Sequence, residues 1–389
     1  MAGHNQIKPA NEIKEKYPLS PMQQGMLFHS LSAPHSGVDI EQVICTLSEK
    51  LDVAALRQAW ERVVERHAVL RTGFHWGDLQ PRQEVHRHVR LQFEHKNWRR
   101  LPEREQQSRL DAYLQADRRR GFELSVPPLM RVALFHVGEV KHILVWNFHH
   151  LLLDARAMGA LLNEVFNFYQ AFLERRDLEL PPSRPYRDYI QWLQKRDGST
   201  AEMFWRQQLK GFTTPTPLTL SRRPDPAPDQ HTGHGVQQVT LSHAETSRLR
   251  AVAKANALTV NTLLQGAWAV LLSRYSGDED VSFGVVRACR RSSVEGADAI
   301  LGLFINTLPL RVRVPAEMSV LEWLKELRAQ NLAMRDHEHT PLVEIQRWSE
   351  VPPGQRLFES LFDFQDPSWE AALRAQGGCW NKQIGRAHV

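Results

Sequence analysis

The stretch VKHILVWNF, residues 140–148, runs straight into HHLLLD at 149–154, and this pairing constrains the chain more than any other feature. Its β-branched and aromatic residues crowd together as in a buried strand. Directly after it, Met158, Leu161, Leu162, Val165, Phe166, Tyr169, Phe172 and Leu173 recur at helical steps, predicting a helix over 155–175. A buried strand handing over to an amphipathic helix needs layers that cover it on both sides.

The same alternation recurs along the chain. Leu56, Ala59, Trp60, Val63, Val64 and His67 form one face of a helix that Asp52 can cap. VPPLMRVALFHV (126–137) reads as a strand. The proline-rich stretch 177–189 and the Pro, Asp, Thr and Gly-rich stretch 213–235 read as surface connections, with one short helix from YIQWLQK to AEMFWRQQL between them. Beyond them VQQVTL (236–241) alternates as a strand should. Ser242 and Glu245 form a capping box for a helix to about Asn256. Thr259 caps a further helix that Gly277 stops, and DVSFGVV, NTLPLRVRV and LFESLFDF read as strands. Strands and helices thus alternate in both halves, which predicts an α/β fold. With 389 residues, 42% of them hydrophobic, the chain can build two such domains.

Composition narrows the function classes. The net charge of +5 comes from 49 basic and 44 acidic residues. The densest basic runs, Arg118 to Arg120 and Arg222-Arg223, are short, so solvated surface is favoured over nucleic-acid binding. Cys45, Cys289 and Cys379 are far apart and form no CxxC pair, which fits a reducing, cytoplasmic setting. The N-terminal stretch is polar, with no apolar signal core and no membrane-length apolar run anywhere.

The histidine pair has three readings. A metal site is disfavoured, because successive strand residues face opposite ways and no helical zinc signature is present. A hydrogen-bonded core histidine is the bland reading. The third places His150 at the C-terminal end of a buried strand, where α/β folds keep their chemistry, with Asp154 holding the loop.

The chain resembles a condensation domain of a nonribosomal peptide synthetase, whose core reads HHxxxDG. His149, His150 and Asp154 match it, and other stretches fall in the family's order: LSPMQQGMLFH (19–29), RHAVLRTGF (66–74), YRDYIQWL (186–193), GLFINTLPLRV (302–312) and RLFESLFDFQ (356–365). The resemblance implies two chloramphenicol acetyltransferase-like lobes in a V-shaped pseudo-dimer with a tunnel between them. Residues 1–16 would be a polar leader, 17–180 the N-terminal lobe, 181–235 a connection and 236–376 an incomplete C-terminal lobe. Residues 377–389 would be a non-native tail, since QIGRAHV is what a sequencing-adapter read-through encodes. Such a fragment is expected to be poorly soluble or inactive alone.

The implied reaction joins a donor acyl or peptidyl thioester to the α-amine of an acceptor aminoacyl thioester. Each substrate rides on the 4′-phosphopantetheine of a peptidyl carrier domain, beside an adenylation domain. No cofactor or metal would be bound by this domain itself, and neither nucleic acid nor membrane would be a partner. A thioester is already activated, so alignment and one proton transfer suffice. His150 would accept or relay that proton, or position the amine by a hydrogen bond. Beside His149, Asp154 would be structural and pair with an arginine. Arg290 fits, although Arg287 and Arg291 are close by. Two family glycines are replaced, by Ala155 and Cys289, and a positive φ at Ala155 would be the more damaging. Ser20 and Gln23 either line the tunnel or cap and pack the first helix. Asn306 either meets the acceptor arm or holds a strand end. Trp192, Trp205 and Trp268 read as core, and His29 and His67 as helix-face residues. An epimerisation domain of the same fold and a non-catalytic docking module are the rival readings.

Overall fold

The structure is a computed structural model and describes residues 12–34, 36–77, 80–218, 237–291 and 293–365, with the backbone of 385–386. Most of the expected leader, residues 219–235 of the connection, Val236, Arg222, Arg223, Cys379 and the rest of the expected tail lie outside the described residues. The chain divides into two compact units: residues 1–194 with 293–304 and 366–389, and residues 195–292 with 305–365. The first therefore continues past 180 and takes back a later segment.

In chain order the first unit contains β1 (Ile13–Pro18), α1 (Pro21–Ser32), β2 (Ile40–Ser48), α2 (Val53–Arg66), β3 (Thr72–His75), β4 (Arg82–His86) and β5 (Gln92–Asn97). It continues with α3 (Glu103–Arg120), β6 (Met130–His136), β7 (Lys141–His149), α4 (Ala155–Leu173) and α5 (Arg187–Gln194). The strands β2, β7, β6 and β5 lie side by side in that order, with a two-residue strand at Gly385–Arg386 outside β2. β5 runs parallel to β6, and the other pairs are antiparallel. A smaller antiparallel sheet has the order β1, β4, β3.

The sheet explains why residues 140–148 are so evenly apolar. Leu144, Trp146 and Phe148 face one core with Leu56, Trp60 and Val63 of α2 and Leu161, Val165 and Tyr169 of α4. Val145, on the alternate face, joins Phe135, Trp98 and Leu110 of α3 in a second core. Both faces of β7 are dry, so alternation with polar residues is lost. Asp52 caps α2 by accepting from the N–H groups of Ala54 and Ala55, as its position predicts.

The second unit holds α6 (Ser199–Gln208), α7 (His243–Ala255), α8 (Val260–Ser276), β8 (Asp280–Arg287), β9 (Asn306–Arg313), α9 (Val320–Ala333), α10 (Leu342–Trp348) and β10 (Leu361–Phe362). β8 lies between β10 and β9. Phe283, Val285, Leu308 and Leu310 of this sheet pack with Trp205, Leu272, Trp323 and Trp348. The capping box of Ser242 with Glu245, the Thr259 cap and the left-handed Gly277 all form.

Four local expectations are corrected. Residues 13–16, expected in a polar leader, begin β1, which pairs antiparallel with β4. The single helix between the connections is two, α5 and α6, parted where Asp197 accepts from the N–H of Ser199. Residues 237–241 form no strand. They alternate, but Val239 is 88% exposed, and alternation without a partner strand buries nothing. Only Leu361–Phe362 of LFESLFDF is strand. Of the tryptophans read as core, Trp205 is buried, while Trp192 and Trp268 are partly buried against their cores. No helix among the described residues is long and apolar enough to cross a membrane.

Candidate active site

The antiparallel register of β2 and β7, from Ile40 opposite His149 to Ser48 opposite Lys141, sets the site's geometry. The chain leaves β7 at His149 and turns over three fully buried leucines, Leu151, Leu152 and Leu153, before α4 begins. The N–H of His150 donates to the carbonyl of Asp39 at 2.9 Å, which ties the start of this turn to β2.

Asp154 is the N-cap of α4. Its Oδ1 accepts from the N–H of Ala157 at 2.8 Å, and its Oδ2 accepts from the N–H of Phe304 at 3.0 Å. Its own N–H donates to the carbonyl of Gly302 at 3.3 Å. The aspartate therefore stitches HHLLLD to the 302–304 segment of the later motif, all within the first unit. Ala155 is the first residue of α4, a helical position where alanine is at no disadvantage. The backbone strain falls at Cys289 instead, where φ is +46°. Cys289 is buried, and its Sγ donates to the carbonyl of Glu338 at 3.3 Å.

Gln23 completes the support. It is fully buried, and its Nε2 donates to the carbonyl of Leu151 at 3.0 Å, while its Oε1 accepts from the N–H of Ser20 and from Gln83 Nε2. Ser20 closes a capping box on α1 by accepting from the N–H of Gln23. Both polar side chains are spent on holding α1 and the turn together. Arg290 is buried in the second unit. Asn306 begins β9 there, and its Nδ2 donates to the carbonyls of Glu338 and Thr340, which holds the strand end.

The two histidines part company. His149 is buried, and its Nδ1 accepts from the N–H of Leu151 at 3.2 Å, so the neutral ring carries its proton on Nε2, which meets Ser30 Oγ at 3.3 Å. Ser30 in turn lies 2.6 Å from Asp39 Oδ2, the shorter and anionic of its two acceptors. Burial pushes His149 down to about 4, and the nearby Asp39 charge only partly offsets it. The ring faces a cavity of about 240 Å³ on the α3 side, lined also by Asp39, Trp76 and Arg118. By contrast, the imidazole of His150 is partly exposed and makes no hydrogen bond among the described residues. Its nearest charged group is Glu41, whose Oε1 lies 3.9 Å from Nε2.

Sequence patterns do not point to Ser30, Asp39, Glu41 or Gln83. Their roles depend on the β2–β7 register and the placement of α1, which no local pattern reports. The two helix-face histidines also have partners: His29 meets Asp39, and His67 bridges Glu164 and Ser183. No cluster of three metal-ligating side chains occurs among the described residues.

Comparison with known proteins gives one answer. The family model described as "Condensation domain" matches residues 13–378. A linear gramicidin synthase chain of Brevibacillus parabrevis is 43% identical over 91% of this chain, and the match spans 5% of that protein. A surfactin synthase chain of Bacillus subtilis is 32% identical over 92% of this chain and 28% of its own length. The chain thus spans a small part of these curated relatives. Among solved structures, the condensation domain of the monacolin K polyketide synthase MokA superposes with a TM-score of 0.77 at 18% identity, covering 97% of this chain and 87% of that one. The starter condensation domain of rhizomide synthetase RzmA gives 0.75 at 20% identity, covering 90% and 78%. At such identity these superpositions speak to the fold.

Proposed function

Because the chain belongs to the condensation domain family, we propose that it forms an amide bond between a donor acyl or peptidyl thioester and the α-amine of an acceptor aminoacyl thioester. Both substrates would arrive on the 4′-phosphopantetheine arms of peptidyl carrier domains, next to an adenylation domain in a cytoplasmic synthetase. The domain would supply alignment and a proton acceptor and bind no cofactor of its own.

One observation carries this reading. Among the polar groups gathered at the turn, His149, Asp154 and Gln23 are engaged by the scaffold, while the imidazole of His150 keeps its nitrogens uncommitted. The attacking α-amine must give up a proton on the way to the amide, a task suited to an imidazole at the end of a rigid strand. His150 accepts that proton or holds the amine by a hydrogen bond. The family resemblance leaves the N–H of Ala155, at the start of α4, beside the substrates.

A single-turnover assay with loaded donor and acceptor carriers tests it. Condensation lengthens the acceptor thioester, epimerisation inverts a stereocentre, and a docking module yields no product. His150→Ala should slow amide formation by roughly a hundredfold or more while carrier binding persists. Unchanged turnover would remove His150 from the mechanism.

A further inference from the structure

Glu41 has no role in the scaffold described so far. It lies on β2 opposite Phe148, and cross-strand partners share a face. Along that face β2 continues with Val43, Cys45 and Leu47, all buried in the α2–α4 core. Glu41 is thus the polar end of an otherwise dry row, placed beside the point where the chain leaves β7. Its carboxylate makes no hydrogen bond among the described residues, and it stands 3.9 Å from His150 Nε2, with the two side chains 19% and 24% exposed.

We infer that Glu41 is the electrostatic partner of His150, supplying the counter-charge for the imidazolium that exists while the acceptor amine attacks. The inference rests on the condensation reading above. In the step concerned, the amine nitrogen bonds to the thioester carbonyl carbon and its proton passes to His150 Nε2. Collapse of the intermediate then breaks the C–S bond, and the departing thiolate takes that proton from His150, leaving an amide and a free thiol. The positive charge on the ring is present only between these two events. A separation of 3.9 Å is too long for a hydrogen bond and short enough for an ion pair at a partly screened site.

The other charged groups around the ring are engaged elsewhere. Asp39, just ahead of β2, is held by Ser30 and His29 through Oδ2. His149 is neutral and faces the opposite side of the sheet, where Arg118 of α3 donates to Gln42 Oε1 and the carbonyl of Gly37 and feels the Glu41 charge through space without a hydrogen bond to it. Asp154 receives two backbone N–H groups. Glu41 is the anion left to answer a charge on His150. It acts through His150 and is a positioning residue.

A double-mutant cycle on the full chain with loaded carriers tests this. Glu41→Gln should lower the single-turnover rate roughly five- to fiftyfold with the acceptor KM unchanged, because the interaction belongs to the transition state. Glu41→Asp should recover part of the loss. On the His150→Ala background, Glu41→Gln should cost nothing further. Equal slowing in both backgrounds would make Glu41 a structural residue, and a raised acceptor KM at constant kcat would make it a site for the substrate ammonium. Either result overturns the inference, as does a wild-type rate in Glu41→Gln. Should Glu41→Gln lose its core fluorescence, the same cycle run with Glu41→Ala decides by the same criteria. A slow His150→Ala beside a normal Glu41→Gln would leave the condensation reading standing.

Discussion

The backbone N–H of Phe304 donates to Asp154 Oδ2 at 3.0 Å while Oδ1 of the same carboxylate caps α4 through the N–H of Ala157. One buried side chain thereby fixes both the exit from β7 and the arrival of a segment from much later in the chain. Its two oxygens each face a donor, which an amide cannot imitate, since one of its two ends is itself a donor. Asp154→Asn should therefore destabilise the first unit by about 1–3 kcal/mol, the range for losing a cap and leaving a buried donor unmet. Urea unfolding followed by the fluorescence of the packed Trp60 and Trp146 would measure it. A variant with wild-type stability but reduced turnover would instead make Asp154 a participant in the chemistry.

His149 makes a prediction about pH. Burial holds it at about 4 in the folded chain, against an ordinary value of 6.5. Between those values the unfolded chain binds more protons than the folded one, so stability rises with pH across this window. The contribution is fully present above about 6.5 and disappears as pH falls through about 4, amounting to on the order of 3 kcal/mol. His142, pushed down to about 4 chiefly by burial, adds a slope of the same sign. His149→Asn should flatten the dependence of urea midpoint on pH between about 4.5 and 6.5 and leave the His142 share in place. An identical slope in the variant would show that His149 is not held neutral.

The contrast between the two histidines shows what can be read in the chain before folding. The strand, the turn and the helix around HHLLLD are legible because burial on both faces of β7 and one face of α4 writes itself into local composition. Caps at Asp52, Ser242 and Thr259 are legible because each bonds within its own first turn. Which histidine is committed is not legible. It follows from Ser30 and Asp39, brought to His149 by α1 and by the strand register. Glu41 escapes notice for the same reason, since nothing local marks a glutamate in β2 as the neighbour of His150. The stretch 237–241, expected as strand and forming none, is the converse case, a local pattern with no tertiary partner to complete it.

The last prediction concerns the two replaced glycines, whose expected order of damage the backbone reverses. Ala155 sits in a helix, whereas Cys289 carries a φ of +46°, in the left-handed region that costs a non-glycine residue roughly 1–2 kcal/mol. Cysteine recovers part of that by burying its thiol and reaching the carbonyl of Glu338. Cys289→Gly gives up the thiol but relieves the strain, so its stability should lie close to that of the parent. Cys289→Ala gives up the thiol and keeps the strain, and should fall below the glycine variant by about 1 kcal/mol. Cys289→Val, stiff at Cβ and forced into the same conformation, should be the least stable. Thermal or urea unfolding of the three variants ranks them directly. An alanine variant more stable than the glycine one would mean that the left-handed turn at 289 is not kept in solution.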